Sequence, residues 1–374
     1  MISDRSLKYS QPVYKKDQPD DTFKFLPLPE PTGAYPFHLA LKDVIPEVNN
    51  SKMVFHMVGD TGSLRNTSFQ KLVVREMIGQ FEDKSIADKP QFLYHLGDVV
   101  YNHGEESRYY DQFFSSYQYY PRPIFAIAGN HDSDVNPDVS PYNSLAAFMR
   151  VFCDTTSRPI PFGRGVSVKS MTQPNVYWTL ECPLANIIGL HSNVPKFGIV
   201  TPEQQGWFKE ELKRADKERP GKALVVCIHH APYSADINHG SSEPMIAFLE
   251  AAFEETGIRP DIVFSGHVHN YQRFHKQYPD GKVVTFIVAG AGGYDELHPV
   301  AYRDDDRFTG EDPAFNGVQL INYCDDKHGF LRITIDKANK GLTLTGDYFA
   351  LPHVRKESPE AKAVLKDHFT LEVR

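Results

Sequence analysis

Five polar motifs in this 374-residue chain each follow a short, mostly apolar run. Asp60 lies in Gly59-Asp60-Thr61-Gly62, after residues 52–58. Asp98 and Tyr101 lie in Gly97-Asp98-Val99-Val100-Tyr101, after residues 91–96. Asn130 and His131 lie in Gly129-Asn130-His131-Asp132, after residues 123–128. His230 follows residues 224–228, and His267 and His269 follow residues 261–265. Two carboxylates, three imidazoles, one amide oxygen and one phenol make a mixed donor set. Such a set suits iron, zinc or manganese better than magnesium alone. Seven donors, with one carboxylate bridging, give each of two metals four protein ligands. Positions then stay open for water and substrate, as catalysis requires. Glycines beside most of these residues let backbone come close to a ligand.

The elements that must position these groups follow from pattern. The apolar runs read as buried strands, and open α/β sheets bind ligands beyond the carboxyl ends of their strands. Between the first two motifs, Phe69, Leu72, Val73 and Met77 share one helical face. Tyr110, Phe113, Phe114 and Tyr117 do so before the third, as a core stripe. Strand, helix, strand, helix, strand implies a parallel sheet. Residues 176–180 and 186–190 read as strands of a second sheet. Thr201-Pro202-Glu203-Gln204 reads as a helix start, with Thr201 as cap and Gln204 closing a capping box. Ile246, Leu249 and Phe253 mark a further inward helical face. Alternation around Leu331 to Ile335 and Leu342 to Leu344 predicts a closing hairpin. His56 and His95 lie inside strands and read as core. His229 adjoins His230 and is expected to point the other way, in a supporting role.

Composition bounds the rest. The net charge is -8, with 41% hydrophobic and 24% charged residues. That is globular composition, and it argues against non-specific nucleic-acid binding, which needs a basic face. Four widely spaced cysteines form no CxxC, and sparse cysteine fits a reducing compartment. No apolar stretch reaches membrane-spanning length. Met1-Ile2-Ser3-Asp4-Arg5 opens without a signal-peptide pattern, so a cytoplasmic location is the expectation. Residues 1–48 read as a Pro-rich extended arm, 49–350 as the catalytic domain and 351–374 as a tail.

Asp60-x-Gly62, Gly97-Asp98-x-x-Tyr101, Gly129-Asn130-His131-Asp132, His230-x-Pro232 and Gly266-His267-x-His269 occur in that order. This resembles the calcineurin-like metallophosphoesterase superfamily and, within it, the purple acid phosphatase family. The tyrosine three residues after the bridging aspartate is the specific mark. Gly62 stands where most other superfamily members carry a histidine. The resemblance implies an α/β fold, a four-layer α-β-β-α sandwich of two mixed sheets flanked by helices. It implies one metal held by Asp60, Asp98, Tyr101 and His269, and a second held by Asp98, Asn130, His230 and His267. It implies Fe(III) paired with a divalent Fe, Zn or Mn, and in-line hydrolysis of phosphate monoesters by hydroxide generated at the metals.

By the same match, His131 and His239 are the substrate-side histidines, and Asp132 orients His131. His103, His191, Arg273 and Tyr294 are weaker pocket candidates. The implied partner is a small phosphorylated substrate, with no nucleic acid, no membrane and an open oligomeric state. A phosphodiesterase or nucleotide phosphohydrolase on the same metals is the alternative, because the loops 133–175 and 295–320 set substrate size. A protein-binding scaffold that had lost activity would be expected to lose ligands, and all seven are present.

Overall fold

The computed structural model describes residues 7–18, 20–82, 85–337, 341–352 and 362–373. The N-terminal arm supplies β1 (Tyr14–Lys15) and β2 (His38–Ala40). The motif-bearing strands β3 (Lys52–Val58), β4 (Leu93–His95) and β5 (Ile124–Ala126) come next. β6 (Trp178–Glu181) and β7 (Ala185–Leu190) are antiparallel neighbours, followed by β8 (Ala223–Ile228) and β9 (Ile262–Ser265). Then come β10 (Tyr271–Gln277), β11 (Val283–Ala289), β12 (Phe308–Thr309) and β13 (Val318–Cys324). β14 (Gly329–Lys337), β15 (Leu342–Ala350) and β16 (Val364–Val373) end the chain.

Two mixed sheets carry the fold. The six-stranded sheet runs β16-β15-β14-β3-β4-β5 and the eight-stranded sheet β13-β10-β11-β9-β8-β7-β6-β2. β3, β4 and β5 are parallel, and so are β7, β8, β9 and β11. Val58 pairs with His95 and His95 with Ala126, so three polar motifs leave one sheet edge side by side. Val226 pairs with Val263 and Val288 with Ser265, which aligns the ends of β8, β9 and β11 in the same way.

One core lies between the sheets. It contains Phe55, Met57 and Tyr94 from one and Trp178, Ile187, Val225 and Phe264 from the other. Tyr94 and Trp178 stack at 6.1 Å between ring centroids. The outer face of the six-stranded sheet is covered by the helices Ser68–Gly79 and Ala146–Phe152 and by Glu106–Tyr109, which passes through a π-turn into Ser115–Tyr117. Pro202–Asp216 and Glu243–Thr256 cover the eight-stranded sheet with Phe208, Leu212, Leu249 and Phe253. This is the four-layer arrangement that the family resemblance implies. Among the described residues, no helix is long and apolar enough to cross a membrane.

Two local expectations change. Thr201 caps its helix by accepting from Gln204 N, but Gln204 closes no capping box. Its amide instead brackets His191, accepting from His191 N and donating to His191 O, each at 2.8 Å. The arm and the tail both enter the sheets: β2 pairs with β6, and β16 pairs with β15 along its length.

Candidate metal centre

The motifs sit where the strands stop and the backbone turns sharply. Asp60, Asp98 and His267 hold φ of 57°, 54° and 67°. Left-handed backbone costs a non-glycine residue about 1–3 kcal/mol and persists only where its surroundings enforce it. Here Asp60 N donates to Gly97 O at 2.9 Å, and Thr61 N to Asp98 O at 3.1 Å. Gly97 has φ 96°, and a Cβ there would lie 2.6 Å from both Gly129 N and His229 Nδ1.

Six of the seven expected donors converge in two groups, and His229 joins them in the place expected of His230. In the first, Tyr101 OH donates to Asp60 Oδ1 at 3.3 Å and lies 3.2 Å from His269 Nε2. His269 Nδ1 faces Glu296 O at 3.0 Å, a carbonyl that only accepts, so Nε2 is left with its lone pair. Gln112 fixes Tyr101 by accepting from its N at 2.8 Å and donating to its O at 2.7 Å. A Cβ at Gly62 would come within 2.9 Å of the Tyr101 ring. It would also meet Gln112 Oε1 at 2.7 Å and Val99 O at 2.8 Å, so glycine is what lets this loop pack around Tyr101. In the second group, Asn130 Oδ1 lies 3.0 Å from His267 Nδ1, and the His230 and His267 rings are 4.3 Å apart. Ser192 Oγ holds His230 Nδ1 at 2.7 Å. Asp98 stands between the groups, its Oδ1 accepting from His131 N at 2.9 Å.

The residues fit metal ions on their own chemistry. His230 Nε2 and His267 Nε2 are buried and lack a hydrogen-bond partner, as does His239 Nδ1. Leaving such a group unsatisfied costs about 1–3 kcal/mol, so three together need an explanation. Burial pushes His230, His267 and His269 well below the usual histidine range, which keeps them neutral and able to ligate. Burial raises Asp60, and the charge of Asp98 adds to this although His229 opposes it. Burial would raise Asp98 too, but His229 and His131 outweigh it and hold that carboxyl below its ordinary range. A cation between the two carboxylates would ionise both. Ligand atoms of Asp98, His229 and His267 all lie within 4.8 Å of one another.

The remaining candidates divide. His131 lines the cavity, with Nδ1 2.9 Å from Asn102 O. Asp132 does not orient it. The Asp132 carboxylate accepts from Val99 N, Val100 N and Gly129 N at 2.9–3.2 Å and so ties two motif loops together. Those amides are left unpaired by the turn, which is why the carboxylate faces them. His239 lines the cavity with its ring 4.2 Å from that of His267. Asp236 shapes its loop by accepting from the N–H groups of Asn238, His239 and Gly240.

His229 does not point away. Its Nδ1 lies 2.8 Å from Leu96 O, while Nε2 faces Asn130 Oδ1 at 3.1 Å and Asp98 Oδ2 at 3.4 Å. β8 ends at Ile228, so strand alternation no longer governs the next two side chains. Burial opposes its charge, but Asp98 overrides this and raises the ring to about 9. Tyr294 lines the cavity. His103 pairs with Asp134, Arg273 pairs with Asp367, and His191 is buried outside the cavity. Sequence reasoning missed His298, whose ring stacks 4.1 Å from His269. It also missed Lys24 and Lys196, which line the same cavity. None of the three stands in a strand-end motif.

Residues 53–271 match the calcineurin-like phosphoesterase family, and the chain belongs to it. It is similar to purple acid phosphatase 1 of Ipomoea batatas, 27% identical over 227 residues, covering 59% of this chain and 42% of that protein. It is also similar to the phosphoenolpyruvate phosphatase of Allium cepa, 25% identical over 295 residues, covering 73% of this chain and 54% of that one. The chain thus spans about half the length of these curated relatives. A shorter stretch is 28% identical over 154 residues to the Fe(3+)-Zn(2+) purple acid phosphatase 12 of Arabidopsis thaliana, covering 41% of this chain and 29% of that protein. In fold it is similar to GAP50, the anchor in the inner membrane complex of Plasmodium, with TM-score 0.54 and 14% identity, covering 87% of this chain and 90% of that chain.

Proposed function

We propose that the chain is a binuclear metallophosphatase of the purple acid type that hydrolyses phosphate monoesters. The observation that carries this reading is Tyr101 OH within 3.3 Å of both Asp60 Oδ1 and His269 Nε2, in space left free by Gly62. Asp60, Asp98, Tyr101 and His269 would hold one ion, and Asp98, Asn130, His267 and His229 the other, with His229 Nε2 in the place expected of His230. The phenolate favours Fe(III) at the first position, and a divalent Fe, Zn or Mn is the reading for the second. When bound, the ions supply positive charge to the phosphoryl oxygens and make water more acidic.

The chain's own residues do the rest. His131 stands 4.4 Å from Tyr101 between ring centroids and presents its free ring edge to the cavity. With Nδ1–H given to Asn102 O, its Nε2 donates to the leaving oxygen or a phosphoryl oxygen when the ring is doubly protonated, as a general acid must be. His239, held by the Asp236 turn, serves the opposite side of the substrate. Asp132 acts only by bracing the loops. Residues 49–350 are read as the catalytic unit, with the arm and the tail adding strands to its sheets.

The test compares 4-nitrophenyl phosphate with bis(4-nitrophenyl) phosphate and records the visible spectrum. Faster monoester cleavage and a violet band abolished by Tyr101→Phe support the reading. Preferential diester cleavage would replace the substrate class, and a colourless, iron-free active enzyme would remove the purple assignment.

A further inference from the structure

The N-terminal arm builds a wall of the metal cavity. Gln18 Nε2 donates to His239 O at 3.0 Å. Asp21 accepts from Lys196 N at 3.1 and 3.2 Å. Leu26 and Asn193 exchange two hydrogen bonds, of 3.0 and 2.8 Å. The arm between these clamps carries Lys24, and the segment it clamps carries Lys196. Both lysines line the cavity of about 330 Å³ that also contains Asp98, Tyr101, His267 and His269.

The charge pattern there is incomplete. Besides Asp98, three acids share the cavity lining, and each is engaged. Asp21 pairs with Lys24 at 3.3 Å, Asp134 with His103 at 3.0 Å and Glu296 with Arg65 at 2.8 Å. Lys196 differs. Its half-buried ammonium donates to a neutral carbonyl, Asn238 O, at 3.3 Å and lies 5.9 Å from the Phe197 ring centroid, and among the described residues it makes no ion pair with a carboxylate. Lys15 Nζ reaches the same carbonyl at 3.2 Å. A half-buried ammonium keeps unused donors and an unbalanced charge, which an anion in the cavity would satisfy. Burial and the neighbouring Lys15 pull Lys196 below its ordinary value, against the attraction of Asp236 and Asp21.

We propose that Lys24 and Lys196 bind a second phosphate of the substrate, so that the enzyme prefers phosphomonoesters that carry another phosphate group. This rests on the phosphatase reading above. The Lys24–Asp21 pair is half-exposed on the lysine side and worth little, so Lys24 can turn to a phosphate beside Lys196, and two ammonium groups match a phosphate dianion better than a carboxylate, which offers one charge. Lys15, also on the arm, adds a third cation beside Lys196, so the arm acts as a selectivity wall.

The test measures kcat/KM for fructose 1,6-bisphosphate, fructose 6-phosphate and phosphoenolpyruvate. The bisphosphate should exceed fructose 6-phosphate at least tenfold, through KM. Lys24→Ala with Lys196→Ala should bring that ratio close to one, and the paired Lys→Arg changes should restore it. An equal ratio in the unaltered chain, or a ratio untouched by the double alanine change, overturns the proposal. A preference for phosphoenolpyruvate over the bisphosphate overturns the phosphate assignment in favour of a carboxylate. No turnover of these three or of 4-nitrophenyl phosphate overturns the phosphatase reading itself, and this proposal with it.

Discussion

Two buried polar clusters lie a few residues apart along the chain, and they differ in one respect. His267 and His269 face the metal cavity. Tyr271 and Arg273, on the strand that follows, face Asp367 of β16. The Asp367 carboxylate accepts from Tyr271 OH at 2.7 Å, from Arg273 Nε at 2.7 Å and Nη2 at 3.0 Å, and from Asn322 Nδ2 at 2.8 Å. The histidine cluster instead leaves three buried ring nitrogens without a partner. Both clusters required removing polar groups from water. One is closed on itself and joins the last strand to the eight-stranded sheet. The other is complete only with something the chain does not supply. Unsatisfied buried polar atoms also occur elsewhere, as at Tyr94 and His191, but the gathering of three imidazole nitrogens beside two carboxylates marks the functional site.

Substitutions should separate the two clusters by what they break. The largest effect is expected at Asp98, which stands between the donor groups. Asp98→Asn should lower phosphatase turnover about a thousandfold or more and reduce bound metal. His131→Ala should reduce kcat by about 10²–10⁴ on a poor leaving group while metal content stays constant. If metal is lost as well, its role is structural. Asp367→Ala should do the opposite. It leaves Arg273 charged, buried and unpaired, so urea denaturation should show a loss of about 3 kcal/mol or more. Its kcat should stay within about twofold, since the site is separate. A collapse of kcat with unchanged stability would erase the distinction between the clusters.

The smallest effect is one of pH. Burial would raise Asp367, but Arg273, Tyr271 and Asn322 hold it below the ordinary carboxylate value of 3.8. A depressed folded pKa stabilises above the unfolded value and is lost as pH falls through the folded one. Stability from this carboxylate should therefore be constant above about pH 5 and decline below 3.8. Asp367→Asn should flatten that acid limb in urea titrations between pH 3 and 7. An unchanged limb would assign it to other carboxylates.

Much of this architecture was legible in the sequence because its signals are local. Apolar runs ending in polar residues, beside a glycine in four of the five, identified β3, β4, β5, β8 and β9, and after β8 the histidine that turns to Asp98 is the neighbour of the one expected. What escaped depends on contacts distant in sequence. β2 has three half-buried residues, too short for a pattern, and it is defined by its pairing with β6. Asp132 sits beside His131 in sequence, yet the unpaired amides of another loop claim it. His229 follows a strand that has already ended, so alternation misplaced it. His298, Lys24 and Lys196 are brought to the cavity by loops and by the arm, which carry no periodicity.

The most direct measurement is metal stoichiometry. The chain is reconstituted with iron and zinc, desalted and analysed beside Asp98→Asn. The account predicts about two ions per chain, with the bridging substitution lowering this to one or none. One ion or fewer in the unaltered chain, or two in both proteins, would contradict it.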